Sequence, residues 1–187
     1  MNILIITAHP LQEGRTHTIA NTYAEAKKIA NHEVDIVDLY SEEYKSEPLQ
    51  FTKDKVLTKI QKKFQEQLLW AHEIVIVHPV WWGTAPSVLK NWVDLTFWPN
   101  IAYRYNEKGK LEKLLTKKTA KVFVTCGGPS WYHHFPFMPL LSFWRTCVFE
   151  FCGVDFVTLE VCGNMNTLEG EAREKHFETF LKKIKKS

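Results

Sequence analysis

Short apolar runs alternate with longer amphipathic segments along the chain, and this alternation predicts its secondary structure. The run Ile-Val-Ile-Val at 74–77 is continuous and β-branched, which is typical of a strand covered on both faces. Residues 34–39 alternate apolar and acidic side chains, as expected for an edge strand. Strands are predicted at 3–7, 34–39, 73–77, 120–125 and 154–159. Helices are predicted at 16–30, 86–97, about 140–151 and 169–184, and a further helix between the second and third strands is predicted to end near Trp70. Because parallel strands joined by crossover helices stack in layers, we expect a three-layer α/β sandwich around a five-stranded parallel sheet.

Three connecting segments interrupt this alternation. Residues 40–52 form a predicted surface loop, 98–115 are predicted to be irregular, and 126–139 form a predicted loop rich in Gly, Pro and His. No repeat or linker divides the sequence, so we expect a single domain over residues 1–187. The loop at 8–15 has no Gly-x-Gly-x-x-Gly motif, and the sequence has neither a P-loop nor the acidic strand ends of a response regulator. These observations favour the flavodoxin-like strand order 2-1-3-4-5.

Composition and charge narrow the functional classes. With 45% hydrophobic and 13% aromatic residues, the 187-residue chain can bury a sizeable core. Its net charge of +3 is spread along amphipathic segments, which argues against a nucleic-acid-binding patch. No apolar run approaches the roughly 20 residues that span a bilayer, and residues 1–6 indicate a strand rather than a signal peptide. We therefore expect a cytoplasmic protein that binds no nucleic acid and inserts into no membrane.

The four cysteines carry no redox or metal motif. Cys126, Cys147, Cys152 and Cys162 show neither a Cys-x-x-Cys pair nor the spacing of a metal site. Each is predicted to behave as a small buried hydrophobic residue in a reducing compartment, and no metal is expected.

Candidate ligand-binding residues follow the third and fourth predicted strands. In open α/β sheets, ligands bind at the carboxyl ends of the strands. The third strand leads into two tryptophans, and the fourth leads into two glycines, which let the backbone approach a flat ring closely. The residues concerned are Pro79, Val80, Trp81, Trp82 and Gly83, and then Thr125, Cys126, Gly127 and Gly128. Core aromatics and an ordinary turn are the alternatives, but the position favours a platform for a planar cofactor.

The start of the first predicted helix is a candidate phosphate site. The segment Arg15, Thr16, His17 and Thr18 opens that helix, where free N–H groups and the helix dipole favour an anion. Thr16 is the predicted N-cap, and a plain helix cap is the alternative interpretation.

A tyrosine and two histidines follow the glycine pair. Tyr132 with His133 or His134 is a candidate for hydrogen bonding an oxygen that gains negative charge when a ring is reduced. The sequence does not distinguish which histidine faces inward.

Several motifs together resemble one known family. His9-Pro10, Pro-Val-Trp-Trp-Gly at 79–83, Pro-Ser-Val-Leu-Lys-Asn-Trp-Val-Asp at 86–94, Ala-Tyr-Arg-Tyr at 102–105 and Gly127-Gly128 resemble the flavin-dependent NAD(P)H:quinone reductases. The segment 167–173 is similar to the start of the last helix in a bacterial branch of that family. This branch includes modulators of drug activity and ancillary reductases of potassium-efflux systems. The resemblance covers nearly the whole chain.

The resemblance implies roles for the candidate residues. His9 and the turn at 15–18 would hold the flavin phosphate and ribityl chain, while the loops at 79–83 and 125–128 would grip the isoalloxazine. Tyr132 and one histidine would stabilise reduced flavin, and Tyr103 and Tyr105 would line the nicotinamide and quinone pocket near a homodimer interface. The bound cofactor would be FMN or FAD, and the reductant NADPH or NADH. The chain departs from the family at Gly83, which leaves the substrate wall more open, and at 15–18, where a serine is common.

We therefore expect an NAD(P)H:quinone oxidoreductase with ping-pong kinetics, in which hydride passes through the flavin to a quinone-like acceptor. Two alternatives remain. One is a flavin-binding regulatory subunit of a potassium-efflux transporter, or an electron-transfer module, and the other is a flavodoxin-like domain without flavin.

Overall fold

A parallel five-stranded sheet forms the centre of the molecule. The structure, a computed structural model, describes residues 1–50 and 57–187. The described strands are β1 (Asn2–Thr7), β2 (Glu33–Asp38), β3 (Glu73–Pro79), β4 (Tyr103–Tyr105), β5 (Leu111–Lys113), β6 (Thr119–Thr125) and β7 (Asp155–Cys162). The large sheet has the order β2-β1-β3-β6-β7, and all of its pairs are parallel. Since β6 and β7 are the fourth and fifth strands of this sheet, the predicted order 2-1-3-4-5 and the flavodoxin-like fold class are confirmed.

Helices connect the strands on both faces. They are α1 (Arg15–Ile29), α2 (Lys59–Trp70), α3 (Ser87–Thr96), α4 (Pro139–Ser142) and α5 (Gly170–Lys186). A capping box starts α2, because Thr58 Oγ1 accepts from the Gln61 N–H at 3.2 Å while Gln61 Oε1 accepts from the Thr58 N–H at 2.8 Å. Short 3₁₀ turns lie at Glu42–Tyr44 and Ser130–His134.

The two faces of the sheet have separate apolar cores. Successive side chains of a strand point to opposite faces. Ile5 therefore packs with Tyr23 of α1 and Phe180 of α5, whereas Ile6 belongs to the core that includes Trp92 of α3. All seven residues of β3 are buried, as the continuous apolar run predicts for a central strand.

The structure corrects three predicted segments. The stretch predicted to be irregular contains an antiparallel hairpin, in which Tyr103 pairs with Lys113. Strands of three residues are too short for an alternation to be recognised, and an ion pair between Arg104 and Glu112 supports the pairing. The helix predicted at about 140–151 begins as α4, continues as a π-helix over Phe143–Glu150 and returns to α-helix at residues 151–152. The last strand ends at Cys162 rather than at 159. Part of the loop predicted at 40–52 lies outside the described residues.

Candidate cofactor site at the carboxyl edge of the sheet

The parallel register brings the predicted cofactor loops to one edge of the sheet. Thr7 of β1 lies opposite Val77 of β3, and Pro79 of β3 lies opposite Thr125 of β6. The loops are joined directly, because the Val80 N–H donates to the Thr125 carbonyl at 2.8 Å. The segments after β1, β3 and β6 therefore surround one location, as the sequence predicts.

A tight turn leads from β1 into α1. The Leu11 N–H donates to His9 Nδ1 at 3.0 Å, and the Gly14 N–H donates to the Leu11 carbonyl at 3.1 Å. A Cβ at Gly14 would lie 3.0 Å from that carbonyl oxygen and 3.2 Å from His9 Nδ1, so the tight turn favours glycine. Gly14, not Thr16, is the N-cap residue, and the helix begins at Arg15. The predicted cap at Thr16 is wrong, since the glycine turn already ends the loop two residues earlier and leaves Thr16 buried inside the first turn.

Buried polar atoms without hydrogen-bond partners cluster at this turn. Within the described residues they include Thr7 Oγ1, Arg15 Nε and both ring nitrogens of His17. Thr7 shares the face of Ile5, which is the face that α1 covers. Buried polar groups are almost always satisfied in native proteins, so this cluster indicates a missing polar partner. The first turn of α1 carries no acidic residue, which suits an anion at its amino end.

Among the described residues, two side chains of this turn, His17 and Arg15, have a carboxylate neighbour, whereas Thr18 does not. His17 Nε2 lies 3.4 Å from Asp38 Oδ2, an ion-pair distance. Arg15 turns away toward α5, where its Nη2 donates to Glu174 Oε1 at 2.5 Å. Thr18 is exposed, and its hydroxyl donates to the Gly14 carbonyl at 3.3 Å. Both basic side chains of the turn therefore face a carboxylate, and His17 is the more buried of the two.

The two tryptophans have different environments. Trp81 and Thr84 exchange backbone hydrogen bonds of 3.1 and 3.0 Å around Trp82 and Gly83, whose φ values are 50° and 76°. This is the geometry of a type I′ turn, which needs a residue such as Gly83 that tolerates positive φ. Trp82 at its tip is fully exposed, while the Trp81 ring lies 6.3 Å from the His9 ring. Trp81 therefore lies beside the β1 loop, while Trp82 extends from the tip of the turn.

The loop after β7 supports the glycine pair and was missed by the sequence interpretation. The Met165 N–H donates to the Cys126 carbonyl at 3.1 Å, and the Asn164 N–H donates to the Gly128 carbonyl at 2.6 Å. A Cβ at Gly127 would lie 2.4 Å from Asn166 Nδ2, so the amide of Asn166 lies directly against the glycine backbone. The signal that could have found Asn166 is its position after the carboxyl end of the last strand.

Tyr132, His133 and His134 lie on the 3₁₀ turn after the glycines. His133 is 7% exposed, and its ring centroid lies 5.3 Å from that of Tyr132, which is exposed. Burial lowers the pKa of His133, and the neighbouring His134 lowers it further. His134 is exposed and lines a groove along β7 with Arg145 and Glu160. Of the two candidate histidines, His133 is the one that the fold turns inward.

Tyr103 and Tyr105 lie at the opposite edge of the sheet. Their hairpin leads into the amino end of β6, and the Leu115 N–H donates to the Cys152 carbonyl just before β7. Tyr103 packs on Phe151 with ring centroids 5.1 Å apart and lines a cavity of about 600 Å³. Tyr105 is 60% exposed. Within one chain, the structure does not bring these tyrosines to the cofactor loops.

The cysteines differ from their prediction in one case. Cys126, Cys152 and Cys162 are buried as expected, but Cys147 is exposed because the π-helix turns it outward from the core. Over residues 1–50 and 57–187, no group of three His, Cys, Asp or Glu side chains is arranged to hold a metal ion. In the same ranges, no helix has the length and apolar character needed to cross a membrane.

Comparisons with known proteins agree with this architecture. The family model described as Flavodoxin-like fold matches residues 1–187. An FMN-dependent NADH:quinone oxidoreductase of Coprothermobacter proteolyticus is 28% identical over 193 residues, covering 96% of this chain and 94% of that protein. A ribosyldihydronicotinamide dehydrogenase-like protein of Penicillium crustosum is 29% identical, and the match spans 72% of this chain but only 60% of that longer protein. A crystal structure from Streptococcus mutans UA159 superposes with a TM-score of 0.85 at 24% identity, with both chains fully covered.

Proposed function

Since the chain belongs to the flavodoxin-like family, we propose that it is an FMN-dependent NAD(P)H:quinone oxidoreductase. The observation that carries this proposal is the convergence of three loops on a cluster of unsatisfied buried polar atoms at the start of α1. The similarity to an oxidoreductase named as FMN-dependent supports FMN and NADH in particular. NADPH as reductant and FAD as cofactor are the alternatives that the measurements below also test.

The residues present fit a flavin. Thr7, His17 and the amino end of α1 would hold its phosphate, because they offer a hydroxyl and an imidazole Nδ1 without hydrogen-bond partners and the free N–H groups of a helix start. Trp81 and the backbone at Gly128 would lie against its ring system, because Trp81 provides an aromatic face and a Cβ at Gly128 would meet nothing within 4 Å. A bound flavin supplies the redox chemistry, accepting hydride from the nicotinamide and delivering it to the quinone.

The protein's own contribution is position and electrostatics. Tyr132 offers a hydroxyl, and His133 offers a single N–H in its neutral form, which burial favours by lowering its pKa. Donors of this kind stabilise an oxygen that gains negative charge without giving up a proton. We infer that neither residue is an essential acid, so Tyr132→Phe slows turnover about tenfold or more without abolishing it.

The substrate pocket is proposed to involve a second copy of the chain. Tyr103 and Tyr105 lie at the edge opposite the cofactor loops, so they cannot line the pocket of their own chain. A homodimer would place the hairpin of one copy over the cofactor edge of the other. Mixing Tyr105→Ala protein with Tyr132→Phe protein should then produce heterodimers with one intact site and partial recovery of activity.

The test is spectroscopic. Purified protein should carry a yellow pigment that chromatographs as FMN, bleach on anaerobic addition of NADH, and regain its colour on addition of a benzoquinone. Parallel titration with NADPH decides the reductant. A flavin that stays oxidised under excess NADH and NADPH would favour the electron-transfer or regulatory alternative. A colourless protein that leaves FMN and FAD fluorescence unquenched would overturn the proposal.

A further inference from the structure

A buried histidine lies directly before the Trp81–Gly83 turn. His78 is fully buried in β3, and its Nε2 lies 3.0 Å from Nε1 of the equally buried Trp144. An indole N–H can only donate, so Nε2 must be the acceptor and the ring proton must sit on Nδ1. That Nδ1–H donates to the Pro79 carbonyl at 2.8 Å. Burial lowers the pKa of His78 to about 4, which keeps this tautomer neutral at physiological pH.

The acceptor of this bond is the peptide group that starts the cofactor loop. The Pro79 carbonyl and the Val80 N–H belong to one peptide plane. His78 binds its oxygen side, while the Thr125 carbonyl accepts from its N–H at 2.8 Å. The plane is therefore held from both sides. The His78 imidazole binds its carbonyl oxygen from the core, and Thr125, at the end of β6 before Gly127 and Gly128, binds its N–H.

The indole N–H that orients His78 belongs to a residue of the π-helix. Trp144 lies near the start of the π-helix, and its ring stacks on Phe149 at 5.6 Å with planes 23° apart. π-helical turns are uncommon and are frequent at functional sites. Here the distorted helix provides the N–H that a buried imidazole needs, next to the strand end that leads into a cofactor loop.

We propose that His78 and Trp144 are positioning residues, which set the Pro79–Val80 peptide plane and thereby hold the Trp81–Gly83 turn ready for the flavin. This inference rests on the proposed function, which supplies the flavin as the ligand of the turn. Neither residue needs to contact the cofactor, because the effect passes through the peptide plane.

The test compares two buried tryptophans. Trp144→Phe removes the N–H and leaves His78 Nε2 unpaired, whereas Trp92→Phe removes the same atoms from an equally buried site in α3. In Trp144→Phe we expect amide hydrogen exchange at residues 80–84 to rise about fivefold or more, and FMN to bind about tenfold more weakly. In Trp92→Phe both values should stay near those of the wild type, even if global stability falls.

The outcomes separate the two proposals. Equal effects of both variants on loop exchange and on FMN affinity would reduce the pair to a structural role and overturn the inference. If the wild-type protein binds no FMN, the proposed function fails, and the exchange comparison still decides whether Trp144 holds the loop. If the wild type binds FMN and Trp144→Phe binds it equally well, only the positioning inference fails.

Discussion

Arg15 is bound to Glu174, so the first residue of α1 is tied to the first turns of α5 rather than to the β1 loop. The guanidinium donates to the carboxylate at 2.5 Å and lies 5.6 Å from the ring of Phe177. The position of Arg15 at a helix start predicts a phosphate ligand. Its partner comes from 159 residues further along the chain, a distance that local pattern cannot bridge.

Releasing Arg15 should therefore strengthen phosphate binding. Glu174→Gln removes the negative charge that holds the guanidinium, and we expect FMN to bind a few-fold more tightly at low ionic strength. Riboflavin, which lacks the phosphate, should bind as it does to the wild type. Fluorescence titration with both ligands measures the difference, and Glu178→Gln, an exposed charge on the same helix, is the control. Unchanged FMN affinity in Glu174→Gln would show that Arg15 cannot reach the phosphate.

The unpartnered hydroxyl of Thr7 allows a matched pair of variants. Thr7 and Thr96 are both almost fully buried, and neither Oγ1 has a hydrogen-bond partner. Replacing either by valine should leave the free energy of unfolding unchanged or raise it by up to about 1 kcal/mol. Only Thr7→Val should weaken FMN binding, about fivefold or more, because Thr96 lies in α3 away from the cofactor loops. A similar loss in Thr96→Val, measured by the same titration, would contradict the assigned phosphate site.

The buried His78 should make the fold sensitive to acid. Its pKa falls from the ordinary 6.5 to about 4 in the folded protein, so the unfolded chain binds the extra proton first. Stability is therefore complete above about pH 6.5, declines as the pH falls, and stops declining from this source below about 4. The contribution is about 3 kcal/mol over that interval.

Urea unfolding of the wild type and of His78→Leu between pH 4 and 7.5 tests this dependence. His133, whose pKa is also lowered, adds to the slope of both curves. The difference between the two curves isolates His78. Parallel curves would show that the pKa of His78 does not change on folding.

Two glycines at the carboxyl edge should respond differently to alanine. A Cβ at Gly163 would lie 2.5 Å from the Ser130 nitrogen and 2.8 Å from the Gly128 oxygen, both backbone atoms that are held in place. A Cβ at Gly127 meets only the side chain of Asn166, which is exposed and free to rotate. We expect Gly163→Ala to cost about 2 kcal/mol or more and Gly127→Ala less than about 1 kcal/mol. Thermal denaturation gives the order, and a reversed order would mean that the β7 loop is packed differently.

The local pattern of apolar and polar residues was sufficient to predict the fold. The continuous β-branched run of β3 identifies a central strand, because a strand buried on both faces is apolar throughout. The alternating acidic residues of β2 identify an edge strand, because such a strand is buried on one face only. The crossover helices then restrict the topology, and the carboxyl ends of the strands indicate where a ligand binds.

Side-chain directions and long-range partners were decided only by the tertiary structure. The exposure of Trp82 follows from a type I′ turn, and the inward orientation of His133 follows from a 3₁₀ turn. Tyr103 lies far from the loops that its motif suggests, because a hairpin carries it to the other edge. The sequence gives the chemical type of each residue, but the partner that the residue contacts depends on how distant segments pack. For this protein the sequence determined the sheet and the edge at which a ligand is expected, and packing determined which side chains lie at that edge.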